Sequence, residues 1–491
     1  MKNSIRMRFG AAALLCTALL CACGGETAGE KQTDNDAVTE AVTEANPAAI
    51  FESLGVKDYE GREFNFLVRT ASEKDVCPNG ENGEVYNDAV VERNRLVEST
   101  YNIKIKPYLI DSTWGVHEQY MQTMRSSIMA GDGAWDLIDG YAAVVGSGYG
   151  DHIFMNLNEV EPLNLSAEWW SAVSREELTV NDRLYDMAGD ISTSVWSGLN
   201  VIFFNKGILA SLDLDTPYQM VKDGKWTFDA MDAMTKNVYQ DLNGDNAVDS
   251  ADRFGMIFAD DRTLDTFRAS CNVGYTKKNA DGTLELDMLT DKLVELFEKT
   301  IALTYNNNDV LYKYNGETFP GADGMTKFAA NEALFFAYSL GASSNMRSME
   351  TDFGILPYPK WDEAQTEYYT TSQDGRSMWL IPTDVKDVEF AGTITEALCI
   401  AGHEIIIPVY KDKILNGKNI RDTESAEMID IVRNGLKLDI VFENGLHTNE
   451  AGFFFRYAVA LNSPIVSIYE GRERNFLIGY EKFINDAYYG E

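Results

Sequence analysis

Positive charge is scarce in this sequence. Its 491 residues carry 42 Lys and Arg against 77 Asp and Glu, a formal net charge of −35. Such a field repels nucleic acid and anionic lipid headgroups and weighs against a highly charged anionic ligand. Histidine is scarcer still, with only His117, His152, His403 and His447. None of them sits in an HExxH motif, and neither a GxSxG elbow nor a GxxxxGK[ST] loop occurs. "GSGYG" at 146–150 lacks the context of a nucleotide loop and reads as a turn. The six cysteines include no CxxC pair, so neither a zinc ribbon nor a thioredoxin-like site is indicated. Cys399, in "ITEALCIAGH", reads as a buried helix residue, while a Cys77–Cys271 bond is left open. Beyond the N-terminus no run approaches the ~18 uninterrupted apolar residues of a membrane span. There is no internal repeat and no long charge run. No catalysis is expected on these grounds. Two carboxylates of a glycoside hydrolase need not be close in sequence, however. A surface enzyme acting on glycans is therefore the alternative reading, and a docking module of a surface complex the third.

What is present begins with a leader. Lys2, Arg6 and Arg8 precede an apolar run from Phe9 to Leu20, too short to cross a bilayer, so residues 1–22 read as a signal peptide. "LCAC" ahead of Gly24-Gly25 resembles a bacterial lipobox, which implies that Cys23 becomes the lipidated N-terminus, palmitate included. Two or more acyl chains on one residue anchor stably. The protein is then expected at the cell membrane, on its extracellular face, or on the periplasmic side where an outer membrane exists. Residues 23–50 are rich in Gly, Thr, Glu, Asp and Ala and read as a flexible tether. Its reach is roughly 25–30 Å.

The body from residue 51 is longer than one core usually serves, so two domains are expected. "EFNFLV" (63–68), "NIKIKPYLI" (102–110) and "WDLIDG" (135–140) read as strands. Between them, 85–101 and 116–131 carry apolar residues at helical spacing, the second ending on Gly131 as a cap. This β-α-β-α-β order predicts a parallel sheet covered by helices, with ligands gathering beyond the carboxyl ends of its strands. "GLNVIFFNKGIL" (198–209) reads as a buried strand entering a turn. Helices are predicted over 227–240, where Thr227 caps the start, and in "DMLTDKLVELFEKTIALTYNN" and "TITEALCIAGHEI".

The segments "NDAVVERNRLVESTYNIKI", "MAGDGAWDLIDGYAAVVGSG", "SGLNVIFFNKGIL", "GKWTFDAMDAMTK" and "TDFGILPYPKWDEAQTEYY", in that order, span roughly residues 60–440. Together they resemble an extracellular solute-binding protein (family 1 type) of a carbohydrate ABC importer. The resemblance implies an α/β, two-lobed periplasmic-binding-protein-like fold of type II. Each lobe is then a mixed sheet flanked by helices, with a cleft between the lobes. It implies residues 51–196 with 372–408 as lobe one and 197–371 with 409–491 as lobe two, the chain crossing near Trp196, Ser372 and Val409. It further implies hinged closure on a small solute, a sugar or oligosaccharide, and delivery to ABC permease subunits, with no nucleic-acid partner. The tail past residue 445 fits the resemblance less well.

Sugars are held by aromatic faces and by polar groups that read hydroxyls. Tyr141 follows a predicted strand end and is a ligand aromatic or a packing residue. Its neighbour Asp139 accepts hydroxyl protons or caps the next segment. Trp196 and Ser197 sit at the first crossing, where the Trp is a stacking platform or a hinge plug. Tyr338 follows an apolar strand and precedes a Gly-Ser loop. Asp374 and Arg376 lie on a turn before the returning strand, as ligand contacts or as solvated turn residues.

The stretch "DLNGDNAVDSAD" matches EF-hand ligand spacing: Asp241, Asn243 and Asp245 at positions 1, 3 and 5, the Ala247 carbonyl at 7, Asp249 at 9 and Asp252 at 12. Asn246 replaces the usual Gly at position 6, and Asn also tolerates a left-handed turn. Oxygen donors at this density favour Ca²⁺; the other reading is an acidic solvated turn. A single copy without an exit helix points to a structural clamp rather than a sensor or a dockerin.

Overall fold

The structure is a computed structural model; it describes residues 47–259, 261–279, 283–312, 322–346, 348–415 and 422–490. The signal peptide, Cys23 and nearly all of the tether lie outside the described residues. Pro47–Phe51 already forms a helical turn with Phe51 fully buried, so the packed body begins four residues before 51.

The described strands are, in chain order, β1 Arg62–Arg69, β2 Ile103–Ile110, β3 Leu137–Tyr141, β4 Asn200–Asn205, β5 Phe254–Phe258, β6 Thr276–Lys278, β7 Leu284–Leu286, β8 Val310–Leu311, β9 Ala333–Ser339, β10 Phe353–Leu356 and β11 Ser377–Leu380. They form two main sheets, ordered β11-β3-β1-β2 and β10-β4-β9-β5-β8, and the hairpin β6-β7. In the first sheet β2, β1 and β3 run parallel, and β11 returns antiparallel beside β3. In the second, β4 is antiparallel to both neighbours, while β9, β5 and β8 are parallel. The fold is therefore mixed α/β with two lobes, each built on a mixed sheet.

Local sequence explains the elements. Val85–Tyr101 is helical throughout; the Glu84 side chain accepts the Asn87 amide at its start, and Asn102 at φ 47° ends it. His117–Ala130 ends on Gly131 at φ 72°, a conformation that glycine adopts without steric penalty. β4 and β5 are buried along their whole length, as strands covered on both faces must be. The helix predicted over 227–240 stops at Thr235, because Asn237 adopts φ 64° and the chain turns back toward β5. Cys77, Cys271 and Cys399 are free and buried, so no Cys77–Cys271 bond forms. Cys77 packs in the lobe-one core and Cys271 in the core containing β5.

The lobes meet at a backbone hinge. Leu199 and Ser372 form an antiparallel bridge, flanked by Asn200 N–H to Thr371 O at 2.9 Å and Gln373 N–H to Gly198 O at 2.8 Å. A third segment joins them: Thr370 N–H donates to Gly435 O and Lys437 N–H to Thr370 O, each at 2.8 Å. The chain does not leave lobe one at Val409. There it runs from the helix Val388–Ala401 through a wide turn, Gly402–Ile406, into the helix Ile407–Leu415. Ile406, Val409 and Tyr410 pack against Tyr86 and Val90 of lobe one, and that apolar contact keeps the segment there. The stretch Val388–Asp412 is long and apolar enough to cross a membrane, but 83% of its most apolar window is buried in the body, as in a core helix.

The tail past residue 445 ties the lobes together. Helices Phe454–Leu461 and Ile465–Ile484 pack on the helices Arg262–Ser270 and Asp291–Tyr305 of lobe two. The chain end then crosses to lobe one, where Ala487 O, Tyr488 O and Gly490 O accept hydrogen bonds from Tyr185, Asn181 and Arg183 at 2.5, 2.8 and 2.9 Å. Tyr488 lies within 6.4 Å, ring to ring, of Tyr149, Tyr185 and Phe483.

Candidate functional site

A cavity of about 590 Å³ opens where the two lobes and the hinge meet. Its lobe-one wall is the segment after β1, from Glu73 to Asn87; its lobe-two wall is the turn after β9, with Gly341, Ser343 and Ser344. Thr193, Ser197 and Tyr410 close the hinge side. Both walls follow the carboxyl ends of strands, where such sheets place their ligands.

The lobe-one wall is held by capping. Asp88, in the first turn of the helix Val85–Tyr101, accepts the Asn82 amide at 2.9 Å, and Asn87 donates to Gly80 O at 2.9 Å, so the Gly-rich loop 78–84 is laced to the helix start. Tyr86 is buried and shares a 2.7 Å hydrogen bond with Thr193, joining this wall to the hinge segment. The rings of Tyr86 and Tyr410 meet edge to face, with centroids 6.1 Å apart and planes at 61°. Burial pushes both phenols above their ordinary range, and the negative charge of Asp75 adds to it in both cases. The cavity thus combines hydroxyls, side-chain amides, carboxylates and two aromatic rings. It contains the mix a polar, C–H-bearing solute requires.

Of the residues singled out from sequence, Ser197 lines this cavity. Trp196 faces the other way. Its Nε1–H donates to Asp190 at 3.3 Å, and the Arg433 guanidinium of the lobe-two helix Thr423–Asn434 lies 4.0 Å from its ring centre. That pair borders a second crevice of about 250 Å³ with Glu168, Trp170 and Asn434. Asp190 also pairs with His403 Nδ1 at 2.7 Å, which raises the His403 pKa above its usual value.

Tyr141, Asp374 and Arg376 belong to a cluster at the ends of β1, β3 and β11. Asp139 is fully buried there, bonded to the Arg69 backbone amide at 3.1 Å and to its guanidinium at 3.2 Å, so it anchors the sheet and faces no solute. The Arg69 guanidinium lies 5.4 Å from the Tyr141 ring centre and donates to Ser377 and Gly375 O. Tyr141 is half-buried. Asp374 reaches Arg262 of lobe two at 3.3 Å. Arg376 is 3% exposed and pairs with Glu443, itself buried, with Asp186 nearby. Burial raises the Asp186 carboxyl to about 6 and raises Glu443 as well. Tyr338 is half-buried in β9 opposite Val201, and its ring packs on Phe336 with centroids 5.7 Å apart.

The loop Asp241–Asp252 is closed by a bridge between Gln240 and Arg253 and leads directly into β5. Asp241 accepts the amides of Gly244 and Asn246 at 2.6 and 2.9 Å, Asp245 that of Ala247 at 2.7 Å, and Asp249 that of Ala251 at 2.8 Å. Asn246 takes φ 60°, the left-handed turn required at that position. Asp252 is fully buried and accepts from Leu242, Asp249 and Tyr239. Among the described residues no three carboxylate, imidazole or thiol groups gather closely enough to hold a metal ion. The carboxylates of Asp241, Asp245 and Asp249 are thus occupied by backbone amides of the loop itself.

The wall residues Glu73, Asp75, Asn79, Tyr86 and Tyr410 were not singled out from sequence. The available signal was the run "CPNGENG" between a predicted strand and a predicted helix, the place where a parallel sheet presents its ligand loops.

No family model matches the sequence, and no curated protein matches it. Solved structures do. The maltose/maltodextrin-binding domain MalE of Bdellovibrio bacteriovorus, bound to maltotriose, is 13% identical with a TM-score of 0.52; the match covers 86% of this chain and 99% of that one. The ABC substrate-binding protein Lmo0181 of Listeria monocytogenes, in complex with cycloalternan, is 12% identical with a TM-score of 0.53, over 86% and 98%. UspC of M. tuberculosis is 12% identical with a TM-score of 0.57, over 85% and 100%. At this identity the likeness establishes the fold, a two-lobed binding-protein architecture over nearly the full length of each of these chains.

Proposed function

We propose that this chain is the substrate-binding subunit of an ABC importer. It captures an extracellular carbohydrate by closing its two lobes, then presents the closed form to the permease. The observation that carries this reading is the cavity of about 590 Å³, with walls from lobe one, the hinge and lobe two, lined by hydroxyls, amides, carboxylates and the Tyr86–Tyr410 pair. The fold supports it, since structures of the same architecture hold maltotriose and cycloalternan. The protein performs no chemistry; binding energy goes into lobe closure, and a ligand shifts that equilibrium only by its differential affinity for the closed form. Its place is the outer face of the cell membrane, anchored through lipidated Cys23 by the 23–50 tether.

The test is a melting screen of the mature protein against mono- and oligosaccharides, amino acids and peptides, followed by small-angle scattering of each hit. A sugar that raises the melting temperature and reduces the radius of gyration supports the reading. A shift only with another solute class, or turnover of labelled glycans, refutes it.

The loop Asp241–Asp252 is proposed as a structural calcium site. Asp241, Asn243, Asp245, Asp249, Asp252 and the Ala247 carbonyl would hold the ion, stapling the segment after Thr235 to β5. Its turn geometry and buried Asp252 support this. Calcium titration calorimetry on wild type and Asp245→Ala tests it; equal affinity in the two refutes the assignment.

A further inference from the structure

The end of the chain is attached to both lobes, away from the crossings that join them. The helix Ile465–Ile484 is rooted in lobe two: the Phe476 ring meets that of Phe454 edge to face, with centroids 5.6 Å apart, and Tyr480 donates to Leu284 O at 2.8 Å. The helix then widens into an i→i+5 turn, Asn485–Tyr489, closed by Gly490 N–H to Asn485 O at 2.6 Å. From this turn the carbonyls of Ala487, Tyr488 and Gly490 accept from Tyr185, Asn181 and Arg183 of lobe one. Ala487 and Tyr488 are buried. Tyr488 also lines the small enclosed space that holds Asp186, Arg376 and Glu443, so it covers an ion pair that itself runs from lobe one to lobe two.

None of these footings belongs to the three crossings, around Leu199, Ser372 and Leu436. A hinge of short crossings turns by φ/ψ changes at a few residues. A strap bonded to both bodies elsewhere resists that turn. Any rotation shifts its lobe-one footing relative to its root in lobe two, so the three hydrogen bonds break or the wide turn unwinds. We infer that residues 485–490 form a latch, which holds the two lobes at one relative angle and must release lobe one before they turn. A ligand that needs another angle then binds with an affinity reduced by the fraction of molecules already released. The inference rests on the two-lobed fold and not on the identity of the solute, so its failure leaves the transport reading in place.

The experiment is a spin-label distance measurement between the lobes, by double electron–electron resonance without ligand, on the mature chain carrying Cys23→Ser. Labels are placed through Met129→Cys in lobe one and Leu212→Cys in lobe two, both exposed positions; Cys77, Cys271 and Cys399 are buried and escape labelling. The chain with its full tail is expected to give one narrow distance. A chain ending at Ile484 should add a second distance at more than about 10% population, above what a minor state ordinarily holds. Asn181→Gly with Arg183→Ala removes two of the three hydrogen bonds from the lobe-one side and leaves the aromatic packing of the tail. Glycine suits the φ of 49° at position 181, so the backbone is not strained. This double variant should show the same second distance in smaller amount, and it replaces the shortened chain as the deciding measurement if that chain fails to fold. Two comparable distances with the full tail in place overturn the inference. So does a single unchanged distance in the shortened chain, or in the double variant where the shortened chain is unfolded.

Discussion

Replacing Arg376 by Met should unfold the hinge region in a pH-dependent way. The Arg376–Glu443 ion pair has side chains only 2% and 7% exposed. The second oxygen of Glu443 is buried without a hydrogen-bond partner, so the guanidinium is the principal compensation for that charge. Asp186, also buried, is stabilised in its charged form by the same Arg. Removing one member of a buried pair costs about 3–5 kcal/mol, because the other charge is left stranded. The sign with pH follows from the carboxyls. Burial holds the folded-state value of Asp186 at about 6, against an ordinary 3.8, and raises Glu443. The folded protein therefore keeps protons that the unfolded chain has released, and this contribution to stability is present at low pH and lost as pH climbs through about 6. In Arg376→Met both carboxyls rise further and escape their cost by protonation. Urea unfolding followed by tryptophan fluorescence should show a loss of about 3–5 kcal/mol at pH 8, shrinking toward pH 5. An unchanged midpoint at pH 8, or a larger deficit at pH 5 than at pH 8, would refute the reasoning. A loss of ligand affinity without a loss of stability would instead return Arg376 to the solute contacts.

Three further outcomes are expected. His403, paired with Asp190, should titrate above the usual histidine value by NMR; its contribution to stability is fully present below the unfolded-state value near 6.5 and fades as pH rises through the folded one, so His403→Gln should resemble wild type at pH 8 and differ at pH 6. Gly402→Ala places a Cβ 1.9 Å from Asp190 O, so either the backbone or Asp190 must shift, and a loss of more than about 2 kcal/mol in urea midpoint analysis is expected. Tyr488→Ala empties a buried aromatic nest at the crossing of the tail and should cost about 3–5 kcal/mol, with hydrogen exchange rising first in residues 485–490.

Much of the first lobe was legible because its signals are local. A helix predicted over 85–101 appears at those residues, Gly131 caps the next helix, and three strands pair in parallel as their β-α-β-α-β order requires. The helix predicted over 227–240 ended five residues early for an equally physical reason: Asn237 takes a left-handed turn, and Asp309 accepts the amides of Asn237, Val238 and Tyr239, drawing the chain away. Ser197 and Trp196 are neighbours in sequence, yet one lines the cavity and the other points to the opposite crevice, since adjacent helical residues do not share a face.

Composition and local pattern determined the class of this protein: mixed α/β, strongly acidic, without the catalytic motifs named above, and with oxygen-bearing residues at EF-hand spacing over 241–252. These properties depend on residue identity and on spacing within a few residues. Tertiary structure alone decided which side chains meet. It took Arg376 out of solvent and paired it with Glu443, 67 positions away, buried Asp139 against Arg69, and tied the last residues to lobe one. It also brought Asp75, Tyr86, Ser343 and Tyr410 around one cavity, although they span more than 300 positions of sequence. Such encounters depend on how two sheets and a three-strand hinge pack, and no periodicity within a segment encodes that distance.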